Sequence, residues 1–469
     1  MVVGGGTGGL VSALIAAGVG ARVALIERDR LGGDCLWTGC VPSKSLLAAA
    51  DLAHRIRHAD TVGLQPLQPA VNFAAVMGHV RRAIGTIEPH DSAERLTAAG
   101  VEVIKGDGRF IGPGHLAVGD RKLRYRRAII ATGSAPGLPP VRGLADALVL
   151  TTDTVWELES LPRRLVVLGG GPIGCELGQA FARLGSDVTI VEMADRLLPR
   201  EDPAAGELLA ARLSGEGVRV LTGVKVTAVN QRPQGCELMF GDRARIAYDR
   251  ILVAAGRQAR TKELGLDTVD GQVDRHGAVV VDRRLQTTAR GIYAVGDVTG
   301  LLPFTHVAAH HARLAVPNAL FYGRSRVSTT IPWVTFTDPE VARVGLTEQE
   351  ARALWGDRTR IASFQYAELD RAIAGGQPYG FVKLVANPRG RLVGATIAAP
   401  AAGEAIGELA ALIARRGRLA ELSRAVHAYP TLAEGPVRAA DTELGARYST
   451  PRVRTTARSA LAVQRMLRL

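Results

Sequence analysis

Two cysteines five positions apart, Cys35 and Cys40, are the residues of this chain best suited to chemistry. They lie in the segment Gly32-Gly33-Asp34-Cys35-Leu36-Trp37-Thr38-Gly39-Cys40-Val41-Pro42-Ser43-Lys44. In a chain with only four cysteines, such a pair is more typical of a redox-active or metal-binding site than of a structural disulfide. Val41-Pro42 suits the first turn of a helix, so we expect Cys40 at a helix N-terminus, where backbone N–H groups stabilise a thiolate. The flanking residues therefore favour redox chemistry.

Length and composition limit the class of protein. The chain has 469 residues, of which 47% are hydrophobic, and 54 are glycine. These values predict an α/β enzyme with two or more domains. The other two cysteines, Cys175 and Cys236, are isolated, and we expect both to be buried as small apolar residues. Because no further pair has metal-ligand spacing, the sequence predicts no metal site.

Two glycine-rich turns with the same spacing occur far apart in the chain. Val2–Gly9 is matched by Leu165–Gly174, and each copy precedes a helical stretch and a second apolar strand that ends in Glu27 or Glu192. The pattern indicates two βαβ units that bind dinucleotides, since the glycines allow backbone amides to approach a pyrophosphate and the acid accepts hydrogen bonds from a ribose. The fingerprint glycines are Gly4, Gly6 and Gly9 in the first copy and Gly169, Gly171 and Gly174 in the second.

Three shorter segments also have the pattern of a strand that leads into a ligand-binding turn. Residues 127–133, 251–257 and 291–297 each read as an apolar strand entering a turn, where ligands bind in open α/β sheets. From Ile331 the pattern changes to short strands, at Phe381–Val385 and Leu392–Ile397, alternating with helices such as Gly403–Arg415, which predicts a separate α+β domain.

The charge distribution favours anionic ligands such as phosphates, because the formal net charge is +13. Residues 1–21 are uncharged but lack the basic start of a signal peptide, so we expect a cytoplasmic protein with no membrane partner. The stretch from Leu444 to Leu469 has no acidic residue and six arginines: Arg447, Arg452, Arg454, Arg458, Arg465 and Arg468. A solvated tail is favoured over a nucleic-acid- or membrane-binding one, since no aromatic residues interleave for base stacking.

With these motifs placed, the chain resembles the flavin-dependent pyridine nucleotide–disulfide oxidoreductases, the family of glutathione reductase, dihydrolipoyl dehydrogenase and mercuric reductase. The redox segment, both fingerprints, the Ala131-Thr132-Gly133 turn and Gly296-Asp297 occur in the family's order. Residues 336–345 and the C-terminal Tyr429-Pro430-Thr431-Leu432-Ala433-Glu434 also match.

The resemblance implies two Rossmann-like dinucleotide-binding domains, for FAD and NAD, and a C-terminal α+β dimerisation domain. We expect an FAD-binding domain over 1–145 and 276–330, an NAD(P)-binding domain over 146–275 and a dimerisation domain over 331–469. Only Met1-Val2-Val3 precede the first glycines, so a truncated or misassigned start is one explanation, and a genuine Met1 predicts weaker retention of FAD.

The resemblance also assigns cofactor residues. Those implied for FAD are Gly4, Gly6, Gly9, Glu27, Lys44, Gly108, Thr132, Gly133 and Asp297. Those implied for the nicotinamide dinucleotide are Gly169, Gly171, Gly174, Glu192 and Gly256. Glu192 stands where a 2′-phosphate would lie, and its charge predicts NADH in preference to NADPH, although Arg196 nearby keeps NADP(H) open.

The implied catalytic residues are Cys35, Cys40, Lys44, Glu176, Tyr429 and Glu434. Cys40 would be the thiol next to the flavin and Cys35 the thiol that meets the substrate, with Lys44 near the flavin and paired with Glu176. The active form would be a homodimer that passes electrons from NAD(P)H through FAD and a Cys35–Cys40 disulfide to a small-molecule acceptor.

Tyr429 departs from the family pattern. In the disulfide-reducing members, a histidine from the partner subunit stands at this position, pairs with the glutamate that corresponds to Glu434 and moves the protons of thiol–disulfide exchange. A phenol is a poor base at neutral pH, and His427, two residues earlier, would point to the same side of an extended segment as a partial substitute.

Mercuric reductases also lack that histidine, but they carry a C-terminal cysteine pair that this chain does not have. The sequence therefore favours an acceptor such as a metal ion or a quinone. Dihydrolipoyl dehydrogenase or another small-disulfide reductase is the alternative, and a non-catalytic redox-sensing flavoprotein is a remote one.

Overall fold

The computed structural model describes residues 1–145, 147, 149–232, 235–241 and 244–467. Its helices, numbered in chain order, are α1 (Thr7–Gly18), α2 (Gly33–Trp37), α3 (Cys40–Arg57), α4 (Phe73–Ile87), α5 (Ala93–Ala98), α6 (Pro172–Leu184), α7 (Pro203–Gly215), α8 (Thr305–Phe321), α9 (Glu348–Trp355), α10 (Asp370–Ala374), α11 (Ala402–Ala414), α12 (Leu419–Arg424), α13 (Gly435–Tyr448) and α14 (Pro451–Met466). Short 3₁₀ helices lie at Ala59–Val62, Glu88–Asp91, Val155–Glu157, Leu266–Val269, Gly296–Thr299, Gly356–Arg358, Tyr366–Glu368 and Leu432–Glu434.

The strands are β1 (Val2–Val3), β2 (Val23–Glu27), β3 (Val101–Lys105), β4 (Gly108–Gly112), β5 (His115–Val118), β6 (Arg121–Arg124), β7 (Ala128–Ile130), β8 (Ser134–Pro136), β9 (Val149–Leu150), β10 (Arg164–Leu168), β11 (Asp187–Val191), β12 (Arg219–Leu221), β13 (Val226–Arg232), β14 (Gly235–Phe240), β15 (Ala244–Tyr248), β16 (Arg250–Val253), β17 (Arg257–Ala259), β18 (Ile292–Ala294), β19 (Pro332–Thr335), β20 (Glu340–Gly345), β21 (Arg360–Gln365), β22 (Phe381–Ala386) and β23 (Leu392–Ala399).

These elements divide between two compact units. The first contains Met1–Arg57, Leu67–Ala194 and Glu216–Ser328, and the second contains His58–Pro66, Asp195–Gly215 and Thr329–Leu469. The first unit thus holds both glycine-rich turns and both cysteines of the redox segment.

Two parallel five-stranded sheets form the first unit. Their strand orders are β18-β7-β1-β2-β3 and β12-β11-β10-β16-β9. In the second sheet, Val167 of β10 is aligned with Ile190 of β11 and with Leu252 of β16, and all four C-terminal residues of β10 are buried. Continuous apolar strands are typical of parallel sheets that are covered on both faces. Three smaller antiparallel sheets, β4-β5-β6, β13-β14-β15 and β17-β8, complete the unit.

The second unit is built on one antiparallel sheet with the order β19-β20-β23-β22-β21. Its core combines inward residues of these strands with apolar residues of α11, α12 and α13, such as Leu384, Ile397 and Leu409. The strands near 381–385 and 392–397 and the helix from 403 were predicted from the sequence, and the structure confirms them. The α/β fold class, with two parallel sheets that each contain a βαβ unit and with a C-terminal α+β unit, is likewise confirmed.

The two glycine-rich turns have the same geometry. Gly4 and Gly169 have positive φ angles of 106° and 117°. A Cβ atom on Gly9 would overlap the carbonyl oxygen of Gly4, and one on Gly174 would overlap that of Gly169. The last glycine of each fingerprint is therefore required because α1 and α6 begin in backbone contact with the strand that precedes them.

The two remaining cysteines differ in burial. Cys175, on α6, is fully buried as expected. Cys236 is only half-buried, which corrects the expectation, because it lies on β14 of a small antiparallel sheet, opposite Tyr248 of β15. Within the part of the chain that the structure describes, no helix combines the length and hydropathy needed to cross a bilayer.

Replacing Gly174 with alanine should lower the free energy of unfolding by about 1–3 kcal/mol, because the methyl group must displace backbone. Gly171→Ala is the matched control in the same turn: its Cβ would meet nothing within 4 Å, and its φ of −76° is open to any residue. We expect the control to stay within about 0.5 kcal/mol of the parent. Urea denaturation followed by circular dichroism measures both, and equal losses in the two variants would contradict the packing argument.

Candidate active site

Helix α3 begins at Cys40, and the preceding short helix α2 carries Cys35. The first turn of α3 is closed by a hydrogen bond from the Ser43 N–H to the Gly39 carbonyl. Both cysteines are free thiols, with Cys35 half-buried and Cys40 exposed. The structure therefore places Cys40 at a helix N-terminus, where the sequence predicted it.

The two thiols have opposite acidities. The hydrogen bond from Cys35 lowers the pKa of Cys40 to about 6, with smaller contributions from Thr305 and the charge of Lys44 and against the effect of burial. The same hydrogen bond, with burial and the negative charge of Cys40, raises the pKa of Cys35. Above about pH 6 the pair thus holds one proton, on Cys35, and one thiolate, at Cys40.

Thr305 is a residue that the sequence reasoning missed. It is the first residue of α8, and its Oγ1 lies 3.4 Å from the Sγ of Cys40. Since Cys40 is the thiolate at neutral pH, the Thr305 hydroxyl is the donor in this hydrogen bond. The two partners are 265 positions apart in the sequence, so no local sequence signal indicates the contact.

Lys44 and Glu176 form an ion pair, with 2.8 Å between Nζ and Oε2. Lys44 lies one turn into α3 and Glu176 lies in the first turns of α6. The Glu176 side chain is only 8% exposed, whereas that of Lys44 is 37% exposed. The pair thus joins the helix of the redox segment to the helix of the second fingerprint.

The redox segment lies against the first fingerprint. Gly33 has a positive φ of 57°, and a Cβ atom on it would lie 2.6 Å from the Cα of Gly6. The carboxylate of Glu27 accepts hydrogen bonds from the N–H groups of Gly5, at 2.5 Å, and Asp29, at 2.7 Å. This carboxylate therefore shapes the turn that leads into α1.

The second fingerprint repeats that arrangement. Glu192 accepts hydrogen bonds from the N–H groups of Gly170, at 2.6 Å, and Ala194, at 2.7 Å. Gly256 has a φ of 137°, and its missing side chain leaves open space. Both lie beyond the carboxyl ends of their strands, β11 and β16, where the sequence predicted a nucleotide site.

A polar network connects the redox segment with Asp297. The guanidinium of Arg257 donates to Asp34 and, at 2.7 Å, to the Ser134 hydroxyl, which itself donates to Asp297 at 2.7 Å. Burial raises the pKa of Asp297, against the effects of Ser134 and Arg257. Asp297 could be identified from the sequence, whereas its contacts with Ser134 and Arg257 could not.

The other residues implied for FAD lie in the same unit. Gly108 starts β4, where a Cβ atom would lie 3.0 Å from Val3 of β1. The Thr132 hydroxyl donates to the Arg260 carbonyl at 2.8 Å, and Gly133 has a φ of 67°. Thr132 and Gly133 follow β7, the neighbour of β1 in the first sheet.

Tyr429 and Glu434 lie in the second unit. The Tyr429 hydroxyl donates to Asp370 at 2.8 Å, and this hydrogen bond, with the charge of Asp370, raises the pKa of the phenol. Glu434 accepts the N–H of Thr431 at 3.1 Å and so caps its own turn. Neither side chain has the arrangement of a general base.

His427 bonds elsewhere. Its Nε2 lies 3.1 Å from the carboxylate of Glu408, and its Nδ1 lies 3.0 Å from the carbonyl oxygen of Ala425. Both ring nitrogens thus face acceptors within this unit, so these contacts do not support a role as a substitute base.

Comparison with known proteins assigns the chain to a family. Residues 1–312 match the pyridine nucleotide-disulphide oxidoreductases, and residues 331–440 match the dimerisation domain of the same group. The chain belongs to the pyridine nucleotide-disulphide oxidoreductase family. It is therefore an FAD-dependent enzyme that uses a pyridine nucleotide, and its dimerisation domain supports a homodimer.

Relatives within the family have different activities. A dihydrolipoyl dehydrogenase from Thermus scotoductus is 34% identical, over 94% of this chain and 96% of its own length. A mercuric reductase from Acidithiobacillus ferrooxidans is 36% identical, over 94% of this chain and 82% of its own. Among solved structures, a Cu(II) complex of the HOCl-induced flavoprotein disulfide reductase RclA from Escherichia coli is 28% identical, has a TM-score of 0.84 and matches 93% of this chain and 98% of its own.

The residues present fit the cofactors of the family. The turn at Gly4–Gly9 exposes backbone rather than side chains, and a Cβ atom on Gly6 would meet only Gly33, at 3.7 Å. The hydrogen bond between Glu27 and a backbone amide holds the turn in place. The N–H groups at the N-terminus of α1 would then donate to a pyrophosphate. The turn before α6 offers the same surface to the nicotinamide dinucleotide, since a Cβ atom on Gly171 would meet nothing within 4 Å.

The Thr305–Cys40 hydrogen bond gives a prediction for the fully reduced enzyme. Iodoacetamide alkylation of Cys40, followed site by site with mass spectrometry, should increase with pH around a midpoint near 6. Thr305→Val should raise this midpoint by about one unit and slow alkylation about tenfold at pH 5, because a hydrogen bond to a charged group contributes about 1.5 kcal/mol. Thr305→Ser retains the hydroxyl and should behave like the parent. An unchanged midpoint in Thr305→Val would show that the contact does not stabilise the thiolate.

Proposed function

We propose that this enzyme reduces a thiophilic metal ion, such as Cu(II) or Hg(II), with electrons from NADH that pass through FAD and the Cys35–Cys40 pair. A quinone is the other acceptor class that the site chemistry allows. The observation that carries the proposal is the contact between Tyr429 and Asp370, because it leaves the expected position of the proton carrier with a phenol that retains its proton.

Thiol–disulfide exchange needs a base near neutral pH, since the attacking thiol must lose a proton and the leaving thiolate must gain one. Tyr429 cannot serve, because its hydrogen bond to Asp370 raises the pKa of the phenol further. Glu434 and His427 are engaged with Thr431, Glu408 and the backbone. Reduction of a metal ion needs no such proton transfer at the acceptor, so the same residues are no obstacle to it.

The cysteine pair itself suits a soft cation. Thiolates are the preferred ligands of Cu(I) and other soft metal ions. Cys40 is exposed and ionised above about pH 6, and Cys35 is its hydrogen-bond partner. Two relatives support the choice: one is a mercuric reductase, and the other, RclA, has been solved as a Cu(II) complex.

The reaction balances without a further co-reactant: NADH and two Cu(II) ions give NAD⁺, two Cu(I) ions and one proton. When bound, FAD accepts hydride from NADH and supplies two electrons to the cysteine pair. Two electrons and one proton would convert the Cys35–Cys40 disulfide to a thiol at Cys35 and a thiolate at Cys40, which Thr305 and Lys44 stabilise. The segment that carries the pair is held by hydrogen bonds from Arg257 to Asp34 and to Ser134.

The reaction belongs in the cytoplasm, where the reducing conditions keep a cysteine pair of this kind available as thiols and where NADH is supplied. The homodimer that the second unit supports would bring Tyr429 of one protomer to the redox pair of its partner, as the family resemblance implies.

An acceptor panel tests the proposal. Under anaerobic conditions, NADH should bleach the flavin of the purified holoenzyme, and the reduced enzyme should then be offered Cu(II), Hg(II), a benzoquinone, lipoamide and glutathione disulfide. We expect turnover with a metal ion to exceed that with either disulfide at least about tenfold, and Cys35→Ser to remove most of it while leaving flavin bleaching intact. Fastest turnover with lipoamide would instead establish a disulfide reductase.

Tyr429→His refines this test, because it restores the base that the disulfide-reducing relatives use. Dihydrolipoamide oxidation should rise by about 10²-fold or more, the usual contribution of a positioned general base. Tyr448→His is the matched control, since Tyr448 is as exposed as Tyr429, at 70%. A parent enzyme that already oxidises dihydrolipoamide as fast as the histidine variant would contradict the proposal.

NADH should be preferred to NADPH, because the Glu192 carboxylate would repel a 2′-phosphate. Glu192→Gln should shift the ratio of kcat/KM for NADPH to that for NADH about tenfold toward NADPH, equivalent to about 1.4 kcal/mol. The value for NADH itself should fall, because an amide cannot accept both backbone N–H groups that the carboxylate accepts. Stopped-flow rates of flavin reduction measure both nucleotides. Asp187→Asn makes the same charge change at the other end of β11 and should alter neither rate. Equal rates with both nucleotides in the parent enzyme would overturn the preference.

A further inference from the structure

Helix α14 lies outside the region that the family shares. The match to the dimerisation domain ends at residue 440, and α14 runs for 16 residues, from Pro451 to Met466. The sequence predicted a solvated tail in this region. Of the arginines noted there, Arg468 lies outside the described residues.

Two adjacent rows of side chains run along α14, and the exposed Val463 and Met466 lie outside both. At 3.6 residues per turn, Arg454, Arg458 and Arg465 fall in one row, which is called the arginine row below. A second row, the apolar stripe, lies directly beside it and consists of Val453, Ala457, Ala460 and Leu461. The described side chains of α14 are exposed, and Val453 and Leu461 are 41% and 52% exposed.

Such a helix needs a surface to lie on. A 16-residue helix without tertiary packing is marginal in water, and the β-branched residues Val453, Thr455 and Val463 lower its intrinsic stability further. Burial of the apolar stripe would stabilise the helix and also remove exposed apolar side chains from water.

The positive charge and the apolar stripe of α14 together distinguish among three surfaces that it could bind. A second copy of α14 would bring like charges together, since no acidic residue occurs between Leu444 and Leu469 to pair with the arginines. Duplex nucleic acid would neutralise the arginine row but leave the apolar stripe in water. An anionic bilayer surface satisfies both rows, because headgroup phosphates pair with arginine while apolar side chains enter the acyl boundary.

We propose that α14 is a membrane-surface anchor that lies on bilayers containing anionic phospholipid. The inference rests on α14 alone and is independent of the acceptor proposed above. It also revises the expectation, drawn from sequence, that the protein has no membrane partner.

Vesicle flotation with the full-length holoenzyme tests the anchor. The protein should float with vesicles of phosphatidylcholine containing about a third phosphatidylglycerol, and stay unbound with pure phosphatidylcholine. The triple variant Arg454→Gln, Arg458→Gln and Arg465→Gln should partition about 100-fold less, because each basic residue near the surface contributes about fivefold. The control triple, Arg358→Gln, Arg389→Gln and Arg416→Gln, changes three exposed arginines elsewhere in the second unit and should stay within about twofold of the parent.

A second variant separates a bilayer from other anionic partners. Val453→Ser with Leu461→Ser keeps every charge and should weaken vesicle binding about tenfold, whereas binding to a polyanion such as heparin or duplex DNA would not change. NADH bleaching of the flavin verifies that each variant is folded. The anchor is overturned if vesicles do not bind, if only polyanions bind, or if the arginine triple variant changes the oligomer mass in sedimentation, which would assign α14 to a subunit contact.

Discussion

The ion pair between Lys44 and Glu176 joins α3, the helix that begins at Cys40, to α6, the helix that follows the second glycine-rich turn. The pair adds little net stability, because the desolvation of Glu176 offsets its attraction, but removal of the Lys44 charge would leave a buried carboxylate in a less favourable environment. The geometry is therefore restrictive: α3 and α6 must keep the register that brings the two side chains to 2.8 Å. Since Cys40 is the first residue of α3 and the second fingerprint begins α6, this one register also fixes the thiolate relative to the nicotinamide turn.

The acidity of Cys40 comes from several weak contributions rather than one strong one. The helix start, the proton of Cys35, the hydroxyl of Thr305 and the charge of Lys44 each favour the thiolate, and together they overcome the burial that opposes it. In the described part of the second unit, the residues that were expected to move protons have no comparable arrangement. Its Tyr429, His427 and Glu434 are bound to nearby acceptors and donors in their own unit. This arrangement agrees with the proposed acceptor, whose reduction needs electrons but no proton transfer.

Much of this could be predicted from the sequence, because it is encoded locally. The fingerprint glycines, the acid at the end of each second strand and the proline after Cys40 each specify a turn or a helix start within a few residues. Contacts between distant segments could not be predicted in the same way. Thr305 meets Cys40, and Arg257 meets Asp34, only because the parallel sheets bring their carboxyl ends to one edge. His427 was expected to face the same side as Tyr429, but its ring binds Glu408 on α11. The helix itself was predicted, whereas its position next to His427 follows from the tertiary fold. The helix α14 escaped prediction because its apolar row is short and contains alanine.

The repeated turns have an evolutionary consequence. In both halves a glutamate holds the loop by accepting two backbone N–H groups, with distances that agree between Glu27 and Glu192 to 0.1 Å. The backbone of each glycine-rich turn is thus held in place by the chain's own glutamate before any nucleotide binds. Because Glu192 both holds its loop and sets the proposed preference for NADH, a change in nucleotide choice at this position must also supply new acceptors for the N–H groups of Gly170 and Ala194. A duplicated module of this kind explains how one architecture can serve many donors and acceptors without rebuilding its core.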